Sequence, residues 1–364
     1  MTDASAQISE RQLPAVMSAV HVSGQCGPPF ACVTVSDSVP VPSPSPGMVL
    51  LRVGGSSVNP CDSDWVQGTP GCQYNSDGTP GGDVAGKVVA IGAGVTRLRL
   101  GDRVWANRFE LGGGMAEYAL AREEECGVMP RSLSFVEAGT IPVVGGTSLQ
   151  CLQCLADGGS SSQPANNPCS AANGTLSNLT VVITSGSGGT GYLAVQIARA
   201  LGAAKIITAA TGEAIDWMHT LGANVVVDYR LHGIFDQLED DSVDAVFDNY
   251  AGAGTADLAM RKLRAGGTYL LLPHGGCLGN LSAHPKPGVK QIDFGDVDQK
   301  RVSTLDVLAN WFDAGKLRID VGRIPGVQQV FSFGEAARAF GVVASGMVNG
   351  KVAIVPQHTG LLRG

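Results

Sequence analysis

The clearest pattern in the chain is a short apolar run, Val181-Val182-Ile183, that stops abruptly at Ser185-Gly186-Ser187-Gly188-Gly189-Thr190-Gly191. Three β-branched residues in a row read as a buried parallel strand. After the glycines the pattern restarts with Leu193, Ile197 and Leu201 at every fourth position, the period of a helix packed on one face. Apolar strands at 205–208, 225–228, 245–248 and 269–272 then alternate with helical stretches at 214–221 and 256–263. That alternation predicts a parallel sheet with helices on both faces. The first ~120 residues read differently. Short strands at 15–22, 32–35, 48–53, 83–92 and 117–120, cut by turns, predict a β-rich domain. The Pro-rich link 40–46 reads as an extended connection. The polar Gly/Pro-rich stretch 67–82 reads as a binding loop or lid. Helices are expected at 134–138, 146–155 and 304–314, with a last helix at 335–343 and a last strand at 351–355.

Gly186, Gly188 and Gly191 fit G-x-G-x-x-G, with a strand before them, a helix after them and a second strand about 20 residues on. Glycines at such a turn let a pyrophosphate approach the backbone, and the unpaired N–H groups of the helix start hold the anion. This stretch therefore predicts half of a dinucleotide-binding sheet.

At 364 residues the chain is long enough for two domains, and 44% hydrophobic with 16% charged content suits a well-buried globular protein. A net charge of −7 argues against nucleic-acid binding. No apolar stretch reaches the ~18–20 residues of a membrane span. The first residues have no apolar segment of signal-peptide type. The nine cysteines are scattered, so they are expected to be reduced thiols of a cytoplasmic protein. Residues 157–178 are polar and rich in Gly, Ser and Pro, and read as a surface insertion.

Asn59-Pro60-Cys61-Asp62, then Gly81-Gly82-Asp83, Gly86, Gly92, Val95 and Gly101-Asp102-Arg103-Val104, then the glycine turn and the closing Gly350-Lys351-Val352-Ala353-Ile354, follow one another in a familiar order. Together they resemble the medium-chain dehydrogenase/reductases, in the zinc-independent quinone oxidoreductase branch. The resemblance implies an α/β protein: a GroES-like β-rich catalytic domain (1–145 and 315–364) and a doubly wound Rossmann domain (146–314) inserted in it. It also implies an active site in the cleft between them, a homodimer and a small-molecule substrate.

Zinc-dependent members carry a cysteine and a Gly-His-Glu run where this chain has Asn59 and Gly81-Gly82-Asp83, so no zinc is expected. Cys151-x-x-Cys154 has no second pair and reads as two core thiols. Without a Lewis acid, the chemistry expected is hydride delivery to an already electrophilic acceptor, a quinone or an α,β-unsaturated carbonyl. Two alternatives stand beside it: a trans-acting enoyl reductase of a polyketide synthase, and a non-catalytic NADPH-binding protein.

The strand after the turn ends Thr208-Ala209-Ala210-Thr211-Gly212, with no acid to take a ribose 2′-hydroxyl. Thr211 leaves room for a 2′-phosphate, the resemblance places Tyr229 beside it, and Arg230 supplies charge, so NADPH is expected over NADH. The expected cofactor-binding residues are Asn59, Thr147, Gly186, Ser187, Gly188, Gly189, Thr190, Gly191, Thr211, Tyr229, Arg230, Asn249 and Lys351. Asn59 resembles the family asparagine at the nicotinamide end and is also expected to be catalytic; its other reading is a turn residue before a proline. Lys351 resembles a closing lysine near the cofactor, or else is a solvated edge charge. Asp62 and Asp83 are read as acceptors for backbone N–H groups. Enoyl thioester reductases of this superfamily carry a tyrosine in the loop that follows. Counting back from Asp83 places Pro70 there, and nearby Tyr74 is the expected stand-in, with solvent as the other proton source. His274 falls at the carboxyl side of the sheet, where ligands bind.

Overall fold

A computed structural model describes residues 7–8, 13–69, 74, 76–158, 174–273, 279–295, 298, 300–320 and 329–357. Pro70, His274 and most of the 157–178 insertion lie outside the described residues. The chain divides into two compact units, 1–143 with 299–364, and 144–298.

The first unit contains β1 (Gln7–Ile8), β2 (Val16–Val22), β3 (Val33–Pro40), β4 (Met48–Val58), α1 (Pro60–Gln67), β5 (Asp83–Ile91), β6 (Arg103–Asn107), β7 (Tyr118–Arg122), β8 (Cys126–Val128) and α2 (Phe135–Ala138). The helix α3 (Pro142–Ala156) begins at its end. The second unit adds β9 (Thr180–Ile183), α4 (Gly189–Ala200), β10 (Lys205–Ala210), α5 (Ala214–Leu221), β11 (Val225–Asp228), β12 (Val243–Asp248), α6 (Thr255–Lys262), β13 (Leu263–Leu271) and β14 (Lys290–Asp293). The chain then returns to the first unit with α7 (Val302–Asp313), β15 (Val330–Ser332), α8 (Ala336–Ala344) and β16 (Val352–Val355).

In the first unit β15-β16-β4-β5-β6-β8 form the spine of an eight-stranded sheet, with β7 on β4 and β1 on β5. Its core is made by alternate residues of paired strands, Val49, Leu51 and Val53 against Val84, Val88, Val104 and Ala119. The sequence reading ends β4 at 53, where Gly54-Gly55-Ser56-Ser57 turns polar. The strand nevertheless continues to Val58 because long-range partners replace the apolar pattern. A Cβ on Gly54 would lie 2.6 Å from Phe135 Cβ, and one on Gly55 would lie 2.3 Å from the Phe135 carbonyl oxygen. The hydroxyls of Ser56 and Ser57 donate to the Asp83 carbonyl (2.7 Å) and carboxylate (2.6 Å).

The sequence reading draws the return to the first unit at residue 315, and the contacts draw it at 299. The helix between, α7, packs on β8: Phe312 meets the Trp105 ring edge-on at 6.2 Å, and Ser132 N donates to Asp313 Oδ1 at 2.9 Å. The expectation of uniformly reduced cysteines is corrected. Cys26 and Cys32 form a disulfide across a Gly27-Pro28-Pro29-Phe30 turn that brings their Cα atoms within 6.0 Å. Cys154 is also disulfide-bonded, so it is not one of a pair of core thiols. Cys151 is a buried thiol.

In the second unit the six strands pair in parallel, in the order β11-β10-β9-β12-β13-β14. The chain runs outward from β9 to β11, then returns to the other side of β9 with β12. That reversal is the switch point of a doubly wound sheet, and ligands of such sheets lie off the carboxyl ends of the strands there. Val182, Ile207, Val246 and Tyr269 fill the core under it.

Candidate functional site

The glycine turn lies at the switch point. Gly186 N donates to the Ala209 carbonyl at 2.9 Å, and a Cβ on Gly186 would meet Thr208 Oγ1 at 2.3 Å. At Gly191 a Cβ would fall 1.7 Å from the Ser185 carbonyl oxygen, so only glycine lets the helix start this close to the strand. Gly188 is the N-cap of α4. The first N–H groups of this 12-residue helix have no acceptor within it and carry the positive end of its dipole. These are the features a pyrophosphate needs.

Asn249 is expected to bind cofactor, and it fixes the turn. Its Oδ1 accepts from Ser185 N and its Nδ2 donates to the Ser185 carbonyl, both at 2.9 Å. Its neighbour Asp248, fully buried, accepts from Thr184 Oγ1 (2.8 Å), Ala251 N (2.9 Å) and Tyr269 OH (2.5 Å). Burial of the Tyr269 phenol and then the Asp248 charge push its pKa upward. The two strand ends that flank the switch point are thereby tied together. Thr147 is buried in the second turn of α3, not at the helix start.

At the far end of β10, Tyr229 is 55% exposed. The Asp228 carboxylate accepts from Arg230 N at 3.0 Å; that bond, then the Thr211 hydroxyl, holds its pKa below the usual range. The sequence reading finds no acid at the end of β10. The structure brings one to Thr211 from the end of β11, the adjacent parallel strand.

The first unit holds a second, buried polar cluster. The Asn59-Pro60-Cys61-Asp62 stretch starts helix α1: Asn59 is the N-cap, Pro60 opens the helix, and Gly68 ends it at φ 73°. Asp62 Oδ2 accepts from Asn59 N at 2.7 Å, one half of a capping box. The Asn59 amide does not cap the helix. It turns away, with Nδ2 donating to Asp83 Oδ2 at 2.9 Å and Oδ1 accepting from Lys351 Nζ. Lys351 Nζ also lies 3.5 Å from Asp83 Oδ2. Lys351 is 4% exposed, so it is not a solvated edge charge. Asp83 Oδ1 accepts from Val143 N at 2.7 Å.

Tyr74 joins the same cluster. Its hydroxyl donates to Asp62 Oδ1 at 2.5 Å, and Gly81 N donates to that oxygen at 3.1 Å. Trp65 and Phe109 flank the Tyr74 ring, each at 5.3 Å. Burial and the Asp62 charge raise the Tyr74 pKa well above 10, so the phenol keeps its proton and directs it at Asp62. Burial raises Asp62 to about 6, a shift that the Tyr74 and Asn59 hydrogen bonds and Lys351 partly offset. Asn59, Tyr74 and Lys351 are therefore brought together. The residues that connect them, Asp62 and Asp83, were anticipated only as acceptors of backbone N–H groups.

The donor set does not suit zinc. An amide stands where a thiolate would be needed, and the Lys351 ammonium lies against both Asn59 and Asp83. Among the described residues no three His, Cys, Asp or Glu side chains converge on one point.

The raised pKa of Asp62 has a consequence for stability. The folded state binds more protons than the unfolded state between about pH 4 and 6, so stability falls as pH rises through that window. Its size is on the order of 2–3 kcal/mol. An Asp62→Asn variant lacks this component. Urea unfolding is expected to show the variant's deficit relative to wild type shrinking between pH 4.5 and pH 7. A deficit that grows instead would mean that burial does not govern Asp62.

Comparison with known proteins agrees with this arrangement. Residues 45–131 match the family model described as alcohol dehydrogenase GroES-like domain, and residues 221–354 match that described as zinc-binding dehydrogenase. The chloroplast envelope quinone oxidoreductase homolog of Arabidopsis thaliana is 35% identical over 196 residues, 53% of this chain and 55% of that protein. The chain thus spans little more than half of that relative. The NADPH-dependent alkenal/one oxidoreductase of Arabidopsis thaliana is 28% identical over 333 residues, 88% of this chain and 75% of that protein. In fold, the chain is similar to the Escherichia coli quinone oxidoreductase solved with NADPH. The TM-score is 0.72 at 18% identity, over 93% of this chain and 100% of that one. No described helix is long and apolar enough to cross a membrane. The chain belongs to the medium-chain dehydrogenase/reductase superfamily, and the relatives it is similar to are named quinone and alkenal/one oxidoreductases.

Proposed function

We propose that this chain is an NADPH-dependent reductase that transfers hydride to quinones or α,β-unsaturated carbonyls without zinc. The observation that carries the reading is the close-packed glycine turn, where a Cβ at Gly191 would collide with the Ser185 carbonyl. That contact is what a turn shaped for pyrophosphate requires. The acceptor class is supported by the relatives named for quinones and alkenals.

In this reading the backbone of Gly186, Ser187, Gly188, Gly189, Thr190 and Gly191 holds the pyrophosphate, and Asn249 keeps the turn in place. Thr211, Tyr229 and Arg230 face the 2′-phosphate, with Asp228 opposing it. When bound, NADPH supplies the hydride. Asn59, its amide locked between Lys351 and Asp83, forms a fixed wall at the nicotinamide end, and Thr147 is a further cofactor contact. A fixed dipole of that kind stabilises developing charge without reorganising. Tyr74 is committed to Asp62, so the proton that completes the reduction comes from solvent, and Tyr74 holds the wall in shape.

The test is oxidation of NADPH and NADH at 340 nm with 9,10-phenanthrenequinone, 1,4-benzoquinone and a short enone, with and without a chelator. Turnover that prefers NADPH and survives chelation is expected. Bound NADPH with no turnover on any acceptor would move the reading to a carrier-bound substrate or to a non-catalytic role. A preference for NADH would mean that Asp228 outweighs Tyr229 and Arg230.

A further inference from the structure

We propose that Arg108 forms a buried binding site for one small monovalent anion, of chloride or formate size, in the first unit. Arg108 is 4% exposed, and its Nε and Nη1 have no hydrogen-bond partner among the described residues. The backbone around it is fixed. Its N–H donates to the Gly82 carbonyl at 2.7 Å, and its carbonyl accepts from Leu111 N and Gly112 N at 2.9 and 3.0 Å. The turn then folds over the guanidinium. Gly113 N donates to the Thr79 carbonyl at 2.8 Å, and a Cβ built on Gly113 would be 3.5 Å from Nη1 and 3.8 Å from Nη2. The side chain is therefore held inward by bonds that do not involve its charge.

Of the two carboxylates near it, only one is buried, and it is already engaged. Glu125 is the buried carboxylate nearby, and Arg122 uses it: Nη1 at 2.5 Å and N at 3.2 Å. Glu110 pairs with the same Arg122 at 3.2 Å and is 54% exposed. Burial raises the Cys126 thiol to about 12, so it is neutral. Two guanidinium groups thus share one buried carboxylate. An arginine stays charged in a protein, and a buried charge without a hydrogen-bonding counterion is costly. A small anion at Nε or Nη1 supplies the missing acceptor and places a counter-charge in direct contact with the guanidinium.

The experiment exchanges chloride for gluconate at constant ionic strength and follows thermal unfolding of the full chain. Wild type is expected to gain about 3–5 °C, saturably, as chloride rises to ~200 mM, because only the folded state binds. Formate and bromide should do the same. Arg108→Met should abolish the dependence and be at least as stable as anion-free wild type. Arg108→Lys should keep a weaker dependence. A flat wild-type response to all three anions overturns the proposal, whether or not the variants fold. A saturable response that persists in Arg108→Met also overturns it, since the anion would then bind elsewhere.

Discussion

Replacing Lys351 with methionine is expected to destabilise the first unit by about 3–5 kcal/mol, the cost of removing one partner from a buried ion pair. The ammonium touches Asn59 Oδ1 and lies 3.5 Å from Asp83 Oδ2, with side-chain exposures of 3% for Lys351 and 0% for Asp83. Methionine matches the length of the stem but leaves the Asp83 carboxylate with no counter-charge. Three donors remain on that carboxylate: Ser57 Oγ, Asn59 Nδ2 and Val143 N. They hold part of the charge, which puts the expected value at the low end of the range. The Asn59 amide loses its acceptor role as well. The double variant Asp83→Asn with Lys351→Met is expected to recover stability relative to Lys351→Met, because no unpaired charge is left. Urea unfolding followed by tryptophan fluorescence reports this unit well, since Trp65, Trp105 and Trp311 all lie in it. A loss under 1 kcal/mol without recovery in the double variant would show that Lys351 does not neutralise Asp83.

The contrast between the two buried sites explains what the sequence made legible. The glycine turn could be read because its requirement is local. A strand, a tight turn and a helix start lie within two dozen residues, and glycine is forced by backbone contacts such as that between Gly191 and Ser185. The helix α1 was equally local. Asn-Pro-x-Asp places an N-cap, a proline and an N3 acid in order, but the short run Pro60–Gln67 lacks an apolar period and the sequence reading assigns it no element. The rest of the cluster was out of reach for a different reason. Lys351 meets Asn59 across 292 positions, and Ser57 meets Asp83 across 26. No periodicity in a single sequence encodes such pairs. The same holds for β4, whose glycines and serines look like a loop until Phe135 and Asp83 are placed against them. Asp228 beside Thr211 is a neighbour across parallel strands, again invisible to a linear reading.

The second large effect is expected at Gly191. An alanine there would put its Cβ 1.7 Å from the Ser185 carbonyl oxygen, 2.7 Å from its carbon and 2.8 Å from the Gly186 carbonyl oxygen. All three atoms are backbone, so no rotamer change relieves the contact. The first turn of α4 must move away from β9, which Asn249 anchors through Ser185. A displacement of that kind costs about 1–3 kcal/mol in a packed core. It also takes the helix N–H groups off the pyrophosphate, and NADPH affinity is expected to fall by roughly 100-fold or more, about 2.7 kcal/mol. Gly188→Ala is the matched control. Its φ is −71°, and the one neighbour within 4 Å of its Cβ is Ser185 Oγ at 3.4 Å, an ordinary contact. That variant should fold normally and keep NADPH binding within about tenfold. Thermal unfolding and NADPH fluorescence titration of both proteins separate the two effects. If Gly191→Ala folds and binds NADPH as wild type does, the start of α4 is not where the cofactor is held. If both variants lose binding equally, what matters is space for the ligand above the turn, and the close approach of helix to strand is secondary.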